Sequence, residues 1–369
     1  DVCSSDLRRM KACWMAMLML TLLFGTAKAE RVTTTMKIGN QQVSIDAEIY
    51  GTEVEHVQTY EVTNLDLGNK PEKRFDLSLW FGKGKELEKR RYDDIVFLTE
   101  GEEVFWKKDC ARFSPYGQLF LKATQWRLEA EAVYYPIEKW SRSVGERVEA
   151  TPLEDFPIRA ATEKIQPILT ALGVEIQKEP VFAESFSVSD LEAATKAHRE
   201  HGVSPDETLI EDWTKEDEYY ELSYRQLFHG LPIMETDEHM PGIYEWETPR
   251  TVITAQVSRR GIEKLRLGFV PTEEKAIGEA FKPIPVRDAL EACEGLSSTE
   301  VYLEHAYVSE IRLGYVMLAE DRALTQAMAR PAWLIRIWGE FEGESESQMI
   351  AIDARTGESM QIGRASCRE

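Results

Sequence analysis

One order of elements occurs twice in this sequence and constrains the fold more than any other feature: a short helix, then several antiparallel strands. The first helical pattern covers residues 151–173, opened by the capping-box spacing of Thr151 and Glu154, and a second short helix is predicted at residues 189–201. A third helical pattern, residues 285–293, again precedes strand patterns. A sheet with one polar face buries its other face against another layer. We therefore predict an α+β fold of antiparallel sheets, each covered by a helix.

The stretch before the first helix has a different character, because apolar and polar residues alternate there and helical spacing is rare. The alternation is clear at residues 43–47 and 75–79. These patterns predict a β-rich N-terminal domain at residues 30–150. The two helix-and-strand stretches then define two further units, residues 151–284 and residues 285–361.

An export signal is predicted near the N-terminus. Met10 and Lys11 precede an apolar run at residues 13–24, and Ala27-Lys28-Ala29 has the small-x-small pattern of a cleavage site. The apolar run is short for a membrane span. We predict a signal peptide at residues 10–29 and an extracellular or cell-surface location. An uncleaved anchor or a buried N-terminal helix is the alternative.

The two ends of the chain are related as an inverted repeat at the codon level. Residues 3–6 can be encoded as TGC-TCT-TCC-GAT, and the reverse complement of those codons reads Ile-Gly-Arg-Ala, the sequence of residues 362–365. Such a repeat is typical of translated sequencing adapter. We therefore expect residues 1–7 and 362–369 to be adapter artefact and exclude them from the fold. How much natural sequence follows Gln361 stays open.

The charge balance narrows the kind of partner. The chain has 44 Lys and Arg against 65 Asp and Glu, a net charge of −21. Because a surface of this sign repels nucleic acid and anionic lipid, we predict neither as a partner. Cys110 and Cys293 are the cysteines outside the signal and the ends, and either one disulfide or two buried free thiols fits their spacing.

A search for catalytic and metal-binding patterns leads to a prediction of no catalytic, cofactor-binding or metal-binding residue. The sequence has no Gly-x-Ser-x-Gly elbow, Gly-rich phosphate loop, Cys-x-x-Cys or His-Glu-x-x-His. His198 and His201 lie one helical turn apart, but a charged, solvated helix face explains them. The acidic runs at residues 216–218 and 340–344 do not follow the twelve-position calcium loop and are interpreted as acidic loops.

Four segments of the C-terminal half resemble exported bacterial modules. Residues 224–233 resemble the strand and turn of PepSY-type domains, and residues 352–358 resemble their closing hairpin. Residues 311–315 and 331–333 resemble the repeated strand pair of YycI/YycH-type exported regulators. The residues that carry the resemblance, expected to act structurally, are Tyr224, Gln226, Gly230, Pro232, Gly314, Tyr315, Pro331, Trp333, Asp353, Thr356 and Gly357.

The resemblance implies PepSY-like repeats in both C-terminal units. The N-terminal part, with Ile45-Asp-Ala-Glu48, is similar to exported proteins of Gram-positive anaerobes that carry the same C-terminal half. Relatives of this kind act as regulators of sensor kinases or as inhibitory propeptides. The resemblance therefore implies a module without catalytic activity.

Three functions follow as hypotheses. The first is protein or peptide binding, or regulation, at the cell envelope without catalysis, with exposed strand edges as the docking surface. The alternative is a secreted hydrolase or carbohydrate-binding protein, because the 65 acidic residues always offer carboxylate pairs and the nine tryptophans offer sugar-binding surfaces. An envelope regulator held by an uncleaved signal is a third possibility. Flat sheets with all tryptophans buried favour binding; a deep pocket with converging carboxylates and exposed tryptophans favours the alternative.

Overall fold

A computed structural model describes thirteen stretches of the chain: residues 30–38, 41–65, 87–94, 99–106, 111–113, 119–122, 150–201, 213–235, 251–259, 261–296, 303–319, 325–341 and 344–360. The signal peptide and the adapter-like ends predicted from the sequence lie outside them.

The described residues form seventeen strands, three α-helices and one 3₁₀ turn. The strands are β1 Glu30–Ile38, β2 Gln41–Tyr50, β3 Val57–Asn64, β4 Leu87–Asp94, β5 Thr99–Trp106, β6 Ala111–Phe113, β7 Leu119–Lys122, β8 Phe182–Phe186, β9 Tyr219–Tyr224, β10 Leu227–Phe228, β11 Leu231–Pro232, β12 Ile253–Ser258, β13 Ile262–Leu267, β14 Pro271–Phe281, β15 Glu304–Ala319, β16 Gln326–Phe341 and β17 Glu344–Asp353. The helices are α1 Ile158–Ala171, α2 Val188–His201 and α3 Val286–Glu294, with the 3₁₀ turn at Lys215–Asp217.

The first sheet, sheet A, combines strands from both ends of the chain. Its order is β1-β2-β15-β16-β3-β14. Strand β17 also pairs with β16, at residues 332–341, whereas β3 pairs with residues 326–329 of β16. All its pairs are antiparallel except β2 with β15, which run parallel. The long strands β15 and β16 form its centre, with Gly314 opposite Ala332 and Tyr315 opposite Pro331.

The second sheet, sheet B, is antiparallel throughout. Its order is β4-β5-β6-β7-β13-β12-β9-β8. Gly261 lies at the turn between β12 and β13, where Ser258 and Gly261 exchange backbone hydrogen bonds of 2.8 and 3.3 Å. The short pair β10-β11 lies on the connection from β9 towards sheet A.

Each sheet has its own apolar core. The inward residues of β2, Val43, Ile45, Ala47 and Ile49, are at most 2% exposed and share a core with Ala289 and Cys293 of α3. In the core of sheet B, Ala161, Ile165 and Leu169 of α1 pack with residues of β9, β12 and β13. The period of two in β2 and the helical period of α1 thus bury the faces that the sequence pattern indicates.

The prediction of an α+β fold with a helix over each sheet is wrong. Of the described residues, 55% are in strands and 18% in helices, so the fold is mostly β. Sheet A is mixed instead of antiparallel, because β2 adds beside β15 in the same direction. The physical reason is that β1, β2 and β3 pair into sheet A and bury their alternating apolar residues there, while the described helices number three and are short.

The strands of sheet A come from all three of the predicted sequence units: β1 to β3 from the first, β14 from the second, and β15 to β17 from the third. The boundaries at residues 150 and 284 stay predictions, because strand pairing alone does not tell which segments fold independently. No helix in the described stretches is both long and apolar enough to cross a membrane.

Candidate functional site at the junction of the two sheets

Residues 225–235, here called the junction segment, lead from sheet B to sheet A. His229 and Gly230 both have positive φ, 51° and 75°, which is the geometry of a two-residue type I′ hairpin between β10 and β11. Beyond the hairpin, Ile233 pairs in parallel with Tyr315, and the N–H of Met234 donates to the carbonyl oxygen of Tyr315 at 2.7 Å. The segment therefore continues sheet A beside β15, past the end of β2.

Buried hydrogen bonds hold the junction segment in place. Gln226 is 2% exposed, and its Nε2 donates to the carbonyl oxygens of Thr251 at 2.6 Å and Phe269 at 2.8 Å. The hydroxyl of Thr251 donates to the carbonyl oxygen of Met234 at 2.5 Å. Since buried polar groups are costly without partners, these bonds fix the path of the backbone between the sheets.

Gly314 and Tyr315 receive the junction segment on the side of sheet A. The carbonyl oxygen of Pro232 occupies the space that a Cβ on Gly314 would need. The ring of Tyr315 meets the edge of the Phe228 ring at a centroid distance of 5.0 Å and an angle of 85°. Burial raises the pKa of Tyr315 above its ordinary value.

The remaining motif residues organise the other end of sheet A. The indole N–H of Trp333 donates to the carbonyl oxygen of Ile284 at 2.9 Å, just before α3. Asp353 Oδ1 accepts from the N–H of Arg355 at 2.8 Å and of Thr356 at 3.0 Å, and Gly357 has a φ of 75°. This is a side-chain-stabilised turn after β17.

The structure thus separates the motif residues into two groups. The first group lies at the junction segment and at the strands that adjoin it: Tyr224, Gln226, Gly230, Pro232, Gly314, Tyr315 and Pro331. The second group lies where β16 and β17 approach the segment before α3: Trp333, Asp353, Thr356 and Gly357.

A group of buried charges at the junction was not predicted from the sequence. We call it the charge cluster. Its members are Arg225, Glu235, Glu310, Arg312 and Arg336. The three arginine side chains are 5–8% exposed, that of Glu235 is 7% exposed and that of Glu310 is 24% exposed.

Glu235 lies between two arginines, Arg225 of the junction segment and Arg336 of β16. Its Oε1 accepts from Nε of Arg225 at 2.5 Å, and its Oε2 accepts from Nη2 of Arg336. Arg225 also donates from Nη1 to Gln177 Oε1 at 2.8 Å. Burial by itself raises the pKa of Glu235, but Arg336 and Arg225 outweigh it and hold that pKa below its ordinary value. Burial lowers the pKa of Arg225, and Glu235 opposes that effect.

Glu310 faces the cluster from β15. Its Oε2 contacts Nη2 of Arg312, and lies 3.6 Å from Nε of Arg336 and 3.8 Å from Nη2 of Arg225. Glu310 and Arg336 are directly opposite each other in the ladder of β15 and β16. One carboxylate oxygen therefore faces three guanidinium groups.

The sequence does carry a signal for the charge cluster. Glu310 and Arg312 alternate with Ile311 and Leu313 in β15, and Arg336 stands in the apolar run of β16. Charges on the same face of central strands are costly unless they are paired. Such positions in a strand pattern indicate an ion cluster, although the pattern alone does not tell which acid pairs with which base.

The strand β14 forms an exposed edge of sheet A. Its residues 273–280 are exposed on both faces, and β3 is its partner. No other strand in the described stretches pairs with β14. The register of the ladder with β3 shifts after Ile277, where Gly278 has a φ of 71°, and Gln58 Nε2 of β3 donates to the Gly278 carbonyl oxygen at 2.8 Å.

Histidine and acidic residues do not assemble a metal site in the described part of the chain. His229 lies 2.8 Å from Glu274 and stacks on Tyr60, with a centroid distance of 4.5 Å. His201 ends α2, and the surroundings of the side chains of His198 and His201 lie outside the described residues, as does His239. The interpretation of residues 216–218 as an acidic loop holds only in part, because Asp217 and Glu218 are 1% and 7% exposed.

The described cysteine and tryptophan side chains bear on two alternatives that the sequence leaves open: a disulfide or free thiols, and a peptide-binding or carbohydrate-binding surface. Cys293 is a free, buried thiol whose Sγ donates to the carbonyl oxygen of Ala289 at 3.4 Å. Cys110 lies outside the described residues. Trp213, Trp333 and Trp338 are each at most 8% exposed.

Comparison with known proteins identifies the fold and not the family. No family model matches the chain. No curated protein matches it either. A crystal structure of an uncharacterized protein from Eubacterium rectale is similar, with a TM-score of 0.56 and 15% identity, covering 89% of this chain and 93% of that one. The likeness extends over most of both chains, so the two share an overall fold.

Proposed function

We propose that this protein is exported and binds a protein or peptide partner at the cell envelope without catalysing a reaction, as a PepSY-like or YycI/YycH-like regulator. The observation that carries the proposal is the exposed edge of β14, an eleven-residue strand at the end of sheet A. An open edge offers a row of backbone donors and acceptors to an extended segment, which docks by adding a strand.

The charges on β14 specify the chemistry of the partner. Glu273, Glu274 and Glu279 outnumber Lys275 on the exposed stretch, in a chain of net charge −21. A basic extended segment complements this edge, whereas an acidic one is repelled. Binding is therefore expected to weaken as salt is added.

The three tryptophans whose side chains the structure describes favour binding of a peptide over binding of a glycan. Carbohydrate sites present aromatic rings to solvent, but Trp213, Trp333 and Trp338 pack inside the protein. The nitrogens of Trp213 and Trp333 are already bonded to Thr195 Oγ1 and to the carbonyl oxygen of Ile284, both at 2.9 Å. The export part of the proposal rests on the signal pattern at residues 10–29.

The test uses the full chain and a displayed library of eleven-residue peptides that matches the length of β14. We expect basic peptides of high β propensity to be selected. Hydrogen exchange with a selected peptide bound is expected to protect alternate amides of β14, because alternate backbone groups point outward on an edge strand. Protection confined to another part of the chain would overturn docking at β14, and a library without any binder would overturn peptide binding.

A matched pair of variants locates the contact. Ile277 on β14 and Tyr307 on β15 are both exposed large apolar residues, at 37% and 46%. Ile277→Ser removes apolar contact at the docking edge without changing its charge, and is expected to weaken binding about tenfold, or about 1.4 kcal/mol. Tyr307→Ser makes the same kind of change on an inner strand and is expected to leave affinity unchanged. Equal effects of the two changes, or peptide hydrolysis by the purified protein, would contradict the proposal.

A further inference from the structure

The charge cluster is not neutral. It holds three guanidinium groups and two carboxylates, so its five members carry one net positive charge, and Glu48, opposite Glu310 in the ladder of β2 and β15, is an exposed carboxylate outside it. Glu235 uses both of its oxygens on Arg225 and Arg336. Arg312 forms an ion pair only with Oε2 of Glu310, and the other two arginines also lie within 4 Å of that oxygen. Arg312 is therefore the member with the weakest compensation.

The side chain of Arg312 is 5% exposed, and its Nε and Nη2 are buried without a hydrogen-bond acceptor among the described residues, although Nη2 contacts Glu310 Oε2 as an ion pair. Taking a guanidinium out of water costs several kcal/mol unless its donors and its charge are compensated. A buried charged donor of this kind needs an acceptor, because native structures satisfy nearly all such groups.

We propose that a small monocarboxylate anion binds at Arg312 and completes the charge cluster. The planar guanidinium fork matches the two oxygens of a carboxylate, and a single negative charge balances the single excess positive charge. Glu310 is the cluster member that reaches solvent, at 24% exposure, and Tyr50, opposite Arg312 in the ladder of β2 and β15, is 41% exposed. The anion enters on this side. The site is separate from the edge of β14 and does not depend on the proposed function.

The test measures thermal unfolding of the full chain in sodium acetate against sodium chloride at equal ionic strength and neutral pH. Acetate binding to the folded state raises Tm with a saturating dependence on acetate concentration, whereas general screening acts equally in both salts. Titration of ¹³C-labelled acetate, followed by its NMR line width, gives an independent measure of binding. No acetate-specific rise of Tm and no line broadening would overturn the proposal.

Arg312→Met and Arg259→Met form a matched pair. Arg259 is a partly buried arginine, 16% exposed, that is paired with Glu218 at 3.1 Å on the other sheet. Arg312→Met is expected to abolish the acetate response and line broadening, while Arg259→Met lowers Tm and keeps the response. A response that survives Arg312→Met would contradict the site.

A conservative variant keeps the test decisive if Arg312→Met does not fold. Arg312→Lys retains the charge and loses the fork, so it is expected to raise the half-saturating acetate concentration about tenfold. An unchanged half-saturating concentration in Arg312→Lys would contradict recognition by the guanidinium.

Discussion

The carbonyl oxygen of Pro232 lies where any residue other than glycine at position 314 would place its Cβ atom. This close approach lets the junction segment run directly beside β15. Two residues later, the N–H of Met234 bonds to the carbonyl oxygen of Tyr315 at 2.7 Å. The packing of sheet A against the connection from sheet B therefore depends on the absence of one side chain.

Gly314→Ala is expected to destabilise the protein by about 1–3 kcal/mol, because the added methyl group overpacks a closed contact. On the opposite side, Leu334 Cδ1 would lie 2.8 Å from the new Cβ, which limits relaxation. Urea unfolding monitored by tryptophan fluorescence measures the change. Gly295→Ala is the control, since Gly295 has a φ of −79° and its nearest neighbour would lie at 3.4 Å. Similar losses in both variants would show that the close approach is not the cause.

Glu235→Gln is expected to cost about 3 kcal/mol or more at neutral pH, because it leaves two buried arginines without their shared carboxylate. Asp46→Asn is the control: Asp46 pairs with Arg31 at 2.7 Å, but these side chains are 55% and 63% exposed. That change is expected to leave the free energy of unfolding unaltered. A loss in Glu235→Gln no greater than in Asp46→Asn would contradict the structural importance of the charge cluster.

The stability lost in Glu235→Gln is expected to depend on pH. The folded pKa of Glu235 is held below its ordinary value of 4.5 by Arg336 and Arg225, which outweigh burial. A carboxylate with a lowered pKa stabilises the folded state above its unfolded pKa, and this stability is lost as pH falls through the folded pKa. The difference in unfolding free energy between the wild type and Glu235→Gln is therefore expected to be constant near neutral pH and to shrink below about pH 4. A difference that stays constant at acid pH would contradict the lowered pKa.

Local structure was largely predictable where the sequence pattern is periodic. The helix predicted at residues 189–201 occurs as α2 Val188–His201, and Gly173 takes the left-handed conformation, with a φ of 70°, after α1. The capping-box pattern at Thr151 was misleading. The helix begins at Ile158 instead, because Leu153 and Phe156 are buried and form a bridge that keeps the chain non-helical.

The pairing of distant strands was not predictable from local patterns. The alternation in β2 shows that one face is buried, but nothing local indicates β15 as the partner, more than 250 positions later. Strand β14 was missed because both of its faces are exposed, so its sequence has no alternation. The charge cluster was missed for a related reason: its members come from the junction segment, β15 and β16, which only the tertiary fold brings together.

Cys293 is expected to be unreactive towards thiol reagents in the folded protein. Burial raises the pKa of its thiol to about 12, so the reactive thiolate is almost absent near neutral pH. Mass spectrometry after iodoacetamide treatment is expected to find the Cys293 peptide unmodified in native buffer and fully modified in urea. Rapid labelling in native buffer would contradict the burial. A disulfide to Cys110, visible without reductant, would contradict the free thiol.

Tyr224 is expected to affect stability with opposite signs at neutral and alkaline pH. Its hydroxyl shares a 2.8 Å hydrogen bond with Thr162, so Tyr224→Phe is expected to cost about 1 kcal/mol at neutral pH. Burial raises the pKa of Tyr224 from 10.0 to about 12. Because the folded state resists ionisation, the wild type loses stability as pH rises from about 10 to about 12, and Tyr224→Phe lacks this loss. The variant is therefore expected to become the more stable protein near pH 12.

Thr162→Val separates the two contributions of Tyr224. It removes the hydrogen bond but keeps the ionisable phenol, so its stability is expected to be lower at neutral pH and to fall at alkaline pH as in the wild type. Urea unfolding at about pH 8 and about pH 11 compares the three proteins, and the other buried tyrosines, Tyr220 and Tyr315, contribute equally to all of them. If Tyr224→Phe and the wild type lose stability equally at alkaline pH, the phenol of Tyr224 does not have a raised pKa, and its burial against α1 is wrong.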